Sequence, residues 1–104
     1  MTTSDLKDDE GRIFAFEIEN AFVSRSAVVH VAKSIPGCSI KRTPKLFSWF
    51  RESSFCEFEV DGELYIVEEP HGDNSRYWVG PKCISKTDRW RPQTAKVREA
   101  FLSA

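Results

Sequence analysis

The spacing of apolar residues changes early in the chain. Over residues 13–20, large apolar side chains recur at every second position, which is the period of a half-buried strand. From Val28 to Ile35 the apolar residues recur at helical spacing instead. Ser24 offers an N-cap hydroxyl before this stretch, and the pattern ends at a Pro-Gly pair. The chain therefore begins with a strand followed by a helix, and His30, opposite the apolar stripe, is predicted to face solvent.

A hairpin is predicted over residues 55–67, with an Asp-Gly pair at 61–62 as its turn. A two-residue loop would pair Phe58 with Tyr65. A three-residue loop would instead pair Phe58 with Leu64 and gather the aliphatic side chains on one face. We therefore predict the three-residue loop, with the tyrosine on the outer face.

Shorter patterns complete the sequence of elements. Strands are predicted at residues 38–42 and 76–79, each ended by a nearby proline. Residues 44–51 fit either a helical turn or a buried strand, and periodicity over so short a run does not distinguish the two. A closing helix is predicted after Pro92, because proline suits the first turn and a narrow apolar stripe follows it.

This order of elements predicts an α+β fold. We expect a mainly antiparallel sheet of four to five strands with two helices packed on one face, because strands follow one another without regular βαβ alternation. A chain of 104 residues with 40% apolar and 30% charged residues has the composition of one globular domain. We predict a single domain over residues 1–104, in which the polar, acidic residues 1–11 form a flexible N-terminal tail.

Composition restricts the location and the chemistry. Three cysteines without a C-x-x-C pair indicate free thiols in a reducing compartment. We find neither an apolar run that is long enough to span a bilayer nor a targeting segment. We therefore predict a cytoplasmic protein that does not contact a membrane and that uses no cofactor.

Charge is arranged in blocks along the chain. Residues 1–23 hold six acids, residues 24–51 hold six bases and no acid, and residues 52–75 hold eight acids and no base. Seven bases then fall within residues 76–98. Such blocks either form separate acidic and basic faces or pair across strands and cancel. The sequence leaves both alternatives open.

Basic residues next to aromatic ones are the candidate binding residues, namely Arg76, Trp78, Arg89, Trp90 and Arg91. Cations with interleaved aromatic rings bind single-stranded nucleic acid, because the cations track phosphates and the rings stack on bases. Arginine and tryptophan are also enriched at the energetic centres of protein interfaces. Because the net charge is −1, which disfavours avid phosphate binding, we favour a non-catalytic binding or regulatory module for a protein partner. Single-stranded nucleic-acid binding is the alternative.

A second alternative is a small enzyme or metal site at the loop that contains His71. Glu68, Glu69 and Asp73 lie close to this histidine in the sequence, and carboxylates with an imidazole can perform acid–base work or hold a divalent cation. Polar turn residues explain the same composition without any chemistry. We therefore predict no metal, no catalytic residues and an exposed His71.

Overall fold

The structure of the protein, a computed structural model, describes residues 1–19, 23–42, 54–69, 76–82 and 90–104. The elements within these ranges are β1 (Thr3–Lys7), β2 (Ile13–Glu19), α1 (Arg25–Ser34), β3 (Cys38–Arg42), β4 (Ser54–Val60), β5 (Glu63–Glu68), β6 (Arg76–Pro81) and α2 (Gln93–Ser103). Residues 44–51, for which two interpretations were possible, lie outside the described residues, as does the predicted loop at 70–75.

The described strands form one sheet in the order β1-β2-β6-β5-β4-β3, and every neighbouring pair is antiparallel. Helix α1 connects β2 to β3 at the far edge. The next three strands return across the sheet until β6 pairs with β2. The α+β class and the antiparallel sheet are confirmed, whereas six described strands exceed the predicted four to five.

The additional strand is β1, which falls within the segment that was expected to be a flexible tail. Its residues pair with β2, from Thr3 opposite Ile18 onward. Asp5 also joins the sheet to α2, because its carboxylate accepts two hydrogen bonds from Arg98, at 2.6 and 3.0 Å. Only Leu6 is a large apolar residue in this strand. Charged edge strands of this kind discourage aggregation. They also lack the alternation of apolar and polar residues by which a strand is predicted from the sequence.

Helix α1 begins where the sequence predicts it. The Ser24 hydroxyl accepts a hydrogen bond of 3.1 Å from the amide of Ala27, which satisfies one of the free donors of the first turn. The apolar stripe from Val28 to Ile35 is buried. His30, on the opposite side, is exposed as predicted.

The hairpin between β4 and β5 has the register that was not predicted. Phe58 lies opposite Tyr65, so the loop contains only Asp61 and Gly62. Both loop residues have positive φ, 51° and 87°, as a two-residue turn of type I′ requires. Asp-Gly favours this turn because its twist matches that of the two strands. Leu64 consequently faces away from the helices, and Tyr65 enters the core.

The core lies between the helices and one face of the sheet. Phe16 of β2 packs against Phe101 of α2, with ring centroids 5.7 Å apart. Tyr65 is fully buried, and its hydroxyl lies 2.9 Å from the hydroxyl of Thr94. Burial raises the pKa of Tyr65, and the hydrogen bond with Thr94 opposes this effect only in part. A tyrosine is therefore accommodated where the sequence pattern suggested an aliphatic residue, because its polar atom has a partner.

Candidate binding face

The second face of the sheet points away from both helices. Strand pairing places its side chains, and we call this surface the open face. Its central members are Leu6, Ala15, Glu17, Glu57, Glu59, Leu64, Ile66, Glu68, Arg76, Trp78 and Gly80. Within the described ranges, neither helix packs on this side, because the buried residues of both helices belong to the core on the other side.

Trp78 lies at the centre of the open face. A Cβ atom added at Gly80 would come within 2.5 Å of the Trp78 Cη2 atom and within 2.9 Å of the Ala15 Cβ atom. The indole therefore lies against the backbone of Gly80, in space that any larger residue would fill. Trp78 is nevertheless half-buried rather than buried. The residue therefore keeps part of its surface open to solvent.

Aliphatic side chains extend this apolar surface across neighbouring strands. Ile66 lies opposite Gly80 in β5 and is half-buried. Leu64, two residues earlier on the same strand, is 36% exposed. On the other side of Trp78, Leu6 lies opposite Ala15. The open face thus carries an apolar stripe across four strands, β1, β2, β6 and β5.

Carboxylates border the stripe on both sides of Trp78. Glu17 of β2 and Glu68 of β5 are the residues directly opposite Trp78 on the two neighbouring strands, and the Cβ atoms of such pairs lie about 5 Å apart. The Glu17 carboxylate is 3.4 Å from the Arg76 guanidinium. Glu68 forms no ion pair with any described residue. Within the described ranges, the carboxylate of Glu68 beside Trp78 therefore has no cationic partner.

The acidic and basic blocks of the sequence pair with each other in the described part of the chain. Long-range ion pairs join Asp5 to Arg98, Glu17 to Arg76, Glu57 to Lys82, Glu59 to Lys41, Asp61 to Lys96, Glu63 to Arg91, and Glu69 to Arg25. Of the two alternatives, mutual cancellation is therefore the one that these residues support. Most bases of the two basic blocks whose side chains are described thus pair with carboxylates of the same chain.

The predicted binding residues do not form one group. Arg76 and Trp78 lie on the open face, whereas Trp90 and Arg91 precede α2, which packs on the other side of the sheet. Trp90 is 38% exposed, and the Arg12 guanidinium carbon lies 5.0 Å from the centroid of its ring. Arg91 reaches Glu63 at 3.2 Å. Arg89 lies outside the described residues.

The described residues include one histidine and two cysteines whose surroundings bear on metal binding and on thiol chemistry. Among the described residues, no three His, Cys, Asp or Glu side chains converge as metal ligands. Cys56 is buried, and burial raises the pKa of Cys38 against the opposing charge of Lys96, so neither thiol has the features of a nucleophile. His71 and Cys83 lie outside the described residues.

Sequence reasoning missed several members of the open face. Ile66 was assigned to the buried face, because the preferred hairpin register reversed every side chain of β5. Gly80 was treated only as the end of a strand. The signal that was available is the spacing of Trp78 and Gly80, two residues apart on one strand face, since glycine in a strand often marks close approach by another group.

Comparison of the chain with protein-family models, with curated proteins and with solved structures found no match. Neither described helix has the length and apolar character that crossing a bilayer requires.

Proposed function

We propose that this chain is a small, non-catalytic binding or regulatory module that contacts a protein partner through the open face. One observation carries the proposal: the indole of Trp78 is held against Gly80 at the centre of a face that neither described helix covers, and part of its surface meets solvent. A rigid aromatic ring costs little conformational entropy when a partner buries it, which is why tryptophan is enriched at interface centres.

The surroundings of Trp78 support the same proposal. Ile66 and Leu64 continue the apolar surface on the next strand, and carboxylates border it. An apolar centre with a polar rim is the usual organisation of protein interfaces. Isolated apolar residues on a surface need no explanation, but a contiguous stripe that includes an aromatic ring marks an interaction site.

Nucleic-acid binding, the alternative, is less well supported. Phosphate recognition requires free cations near the stacking rings. Arg76, the cation closest to Trp78 along the strand, pairs with Glu17, and Arg91 pairs with Glu63. A strand of nucleic acid on the open face would also meet the carboxylates of Glu17 and Glu68. We therefore rank a protein partner first.

We place the module in the cytoplasm. Cys38 and Cys56 are free thiols, and free cysteines persist in reducing compartments. The thiol of Cys56 is fully buried in the core, where it packs as a small apolar side chain.

The experiment that tests the proposal is selection of short peptides from a displayed random library on the immobilised full chain. We expect the selected peptides to lose binding to Trp78→Ala and to Leu64→Lys, which places a charge on the stripe at an exposed position. Trp90→Ala is the matched control, because it removes an exposed tryptophan that does not belong to a strand of the open face. Circular dichroism melts verify that each variant folds.

Two outcomes would overturn the proposal. One is that the selected peptides bind both open-face variants as tightly as they bind the wild-type chain. The other is that a single-stranded oligonucleotide, titrated at low salt, binds the wild-type chain and loses binding to Trp78→Ala.

A further inference from the structure

The charge around Trp78 identifies the chemistry of the partner, and this inference rests on the proposed function. We infer that the partner places a basic side chain, preferably arginine, against the indole of Trp78 and beside the carboxylate of Glu68. The occupant of the open face is thus a protein segment that carries a cation among apolar residues.

The charges on the open face favour a basic partner. Three bases of β3, of β6 and of the residue that follows β6 are already paired: Arg76 with Glu17 at 3.4 Å, Lys82 with Glu57 at 3.0 Å, and Lys41 with Glu59 at 3.8 Å. Glu68, directly opposite Trp78, forms no such pair with any residue that the structure describes. A cation brought by a partner would neutralise this carboxylate.

The indole ring of Trp78 can itself attract a cation. A cation over the face of tryptophan is attracted by the electron-rich ring surface. The chain uses this interaction elsewhere, because Arg12 lies over Trp90. In the described part of the chain, no cation lies over Trp78 in the same way. The exposed part of its ring is therefore available to a cation from outside.

Arginine suits this position better than lysine. Its planar guanidinium stacks on an indole while its N–H donors reach a carboxylate at the edge of the ring. Glu17 and Glu68 are the residues opposite Trp78 on the two neighbouring strands. Because Glu17 already pairs with Arg76, Glu68 is the acceptor for a guanidinium that stacks on the indole. The aliphatic part of the arginine would pack on the neighbouring apolar surface of Ile66.

The test uses the peptides selected on the wild-type chain. We expect arginine, and less often lysine, at the position whose alanine variant loses most binding. Glu68→Gln should weaken the binding of such a peptide about tenfold, the effect of losing one charged contact of about 1.4 kcal/mol. Replacing that arginine by glutamine in the peptide should remove the sensitivity to Glu68→Gln. Glu99→Gln, which removes an exposed carboxylate from α2, is the control and should change binding less than twofold.

The outcomes separate this inference from the proposed function. If peptides bind in a manner that depends on Trp78 but carry no basic residue, or ignore Glu68→Gln, the inference is wrong and the proposed function stands. If no selected peptide depends on Trp78, both are wrong. Peptides that depend on Trp78 and on a basic residue, and that lose affinity for Glu68→Gln, support both.

Discussion

The helix-covered face and the open face of the sheet are formed by alternate residues of the same strands, and they differ in how completely they are packed. On the helix-covered face, Phe58 and Tyr65 are fully buried and stacked, with ring centroids 5.7 Å apart. On the open face, Leu64 is 36% exposed and Trp78 is half-buried. The first face stabilises the fold. The second carries apolar and charged side chains together, which is the composition of the interface that we propose.

The comparison also shows that hydrophobicity alone does not assign a residue to a face. A tyrosine is inside because the hydroxyl of Thr94 satisfies its polar atom. An isoleucine of the same strand, Ile66, is on the outer face. The two-residue turn at Asp61 and Gly62 set the register, and the register then decided which face each side chain joined.

The largest difference between the faces is expected from Phe58→Ala and Leu64→Ala. Removing the buried ring of Phe58 leaves a cavity in the core. The free energy of unfolding of Phe58→Ala should therefore be about 3–5 kcal/mol lower than that of the wild-type chain. Leu64→Ala should cost less than about 1 kcal/mol, because the side chain is already partly in water. Urea denaturation measures both. Equal losses would show that the open face is packed as firmly as the core.

A smaller effect is expected from Gly80→Ala, which tests the close contact on the open face. The added methyl group would overlap the Trp78 ring and approach Ala15, and overpacking of this kind costs about 1–3 kcal/mol. The indole N–H signal of Trp78 in an NMR spectrum should shift, because the ring has to move.

The double variant Gly80→Ala with Trp78→Leu provides the control for that contact. Its loss of unfolding free energy should be smaller than the sum of the two single losses, since the second change removes the clash. Strict additivity would mean that the ring of Trp78 does not rest on Gly80.

Removing either hydroxyl of the buried Tyr65–Thr94 pair should lower the free energy of unfolding by about 1–2 kcal/mol. Tyr65→Phe leaves the Thr94 hydroxyl buried without its partner, and Thr94→Val does the same to the tyrosine. The double variant should be no less stable than the less stable single variant, because it leaves no unpaired polar atom. A double loss equal to the sum of the single losses would exclude a direct hydrogen bond.

The smallest effect is expected from the turn between β1 and β2, which belongs to neither face. Partial desolvation acts to raise the pKa of Asp8, but hydrogen bonds from Arg12 and from the Glu10 amide outweigh it and hold this pKa below its ordinary value of 3.8. The folded state therefore binds the proton less tightly than the unfolded state does. The ionised Asp8 carboxylate therefore stabilises the fold above pH 3.8. This stabilisation is lost as the pH falls through the lower pKa that Asp8 has in the folded state.

Asp8→Asn tests this contribution. The fall in unfolding free energy on acidification below pH 3.8 should be shallower in Asp8→Asn than in the wild-type chain. Asp9→Asn, an exposed neighbour, controls for the loss of one negative charge. If the free energy of unfolding depends on pH in the same way in Asp8→Asn and in the wild-type chain, the hydrogen bonds of the turn to Asp8 do not form in solution.

Local patterns determined much of the fold. The strand at β2, the capped helix α1, the strand at β3 and the closing helix α2 follow from periodicity, from the Ser24 cap and from proline and glycine positions. These features depend on residues that are close in the sequence, so they can be identified without knowledge of the rest of the chain. The positions of Arg76 and Trp78 in a strand were predicted on the same basis.

Tertiary structure decided the remaining features, because each depends on contacts between distant residues. Strand β1 was not predicted, because residues 3–7 have no apolar pattern of their own. They form a strand because they pair with β2 and because Asp5 contacts Arg98. Whether the charge blocks separate or cancel depends on which strands become neighbours. The open face exists because β6 returns to pair with β2. This pairing brings Ala15 beside Gly80, against which the ring of Trp78 lies, and sets Glu17 and Glu68 opposite Trp78 on the two neighbouring strands.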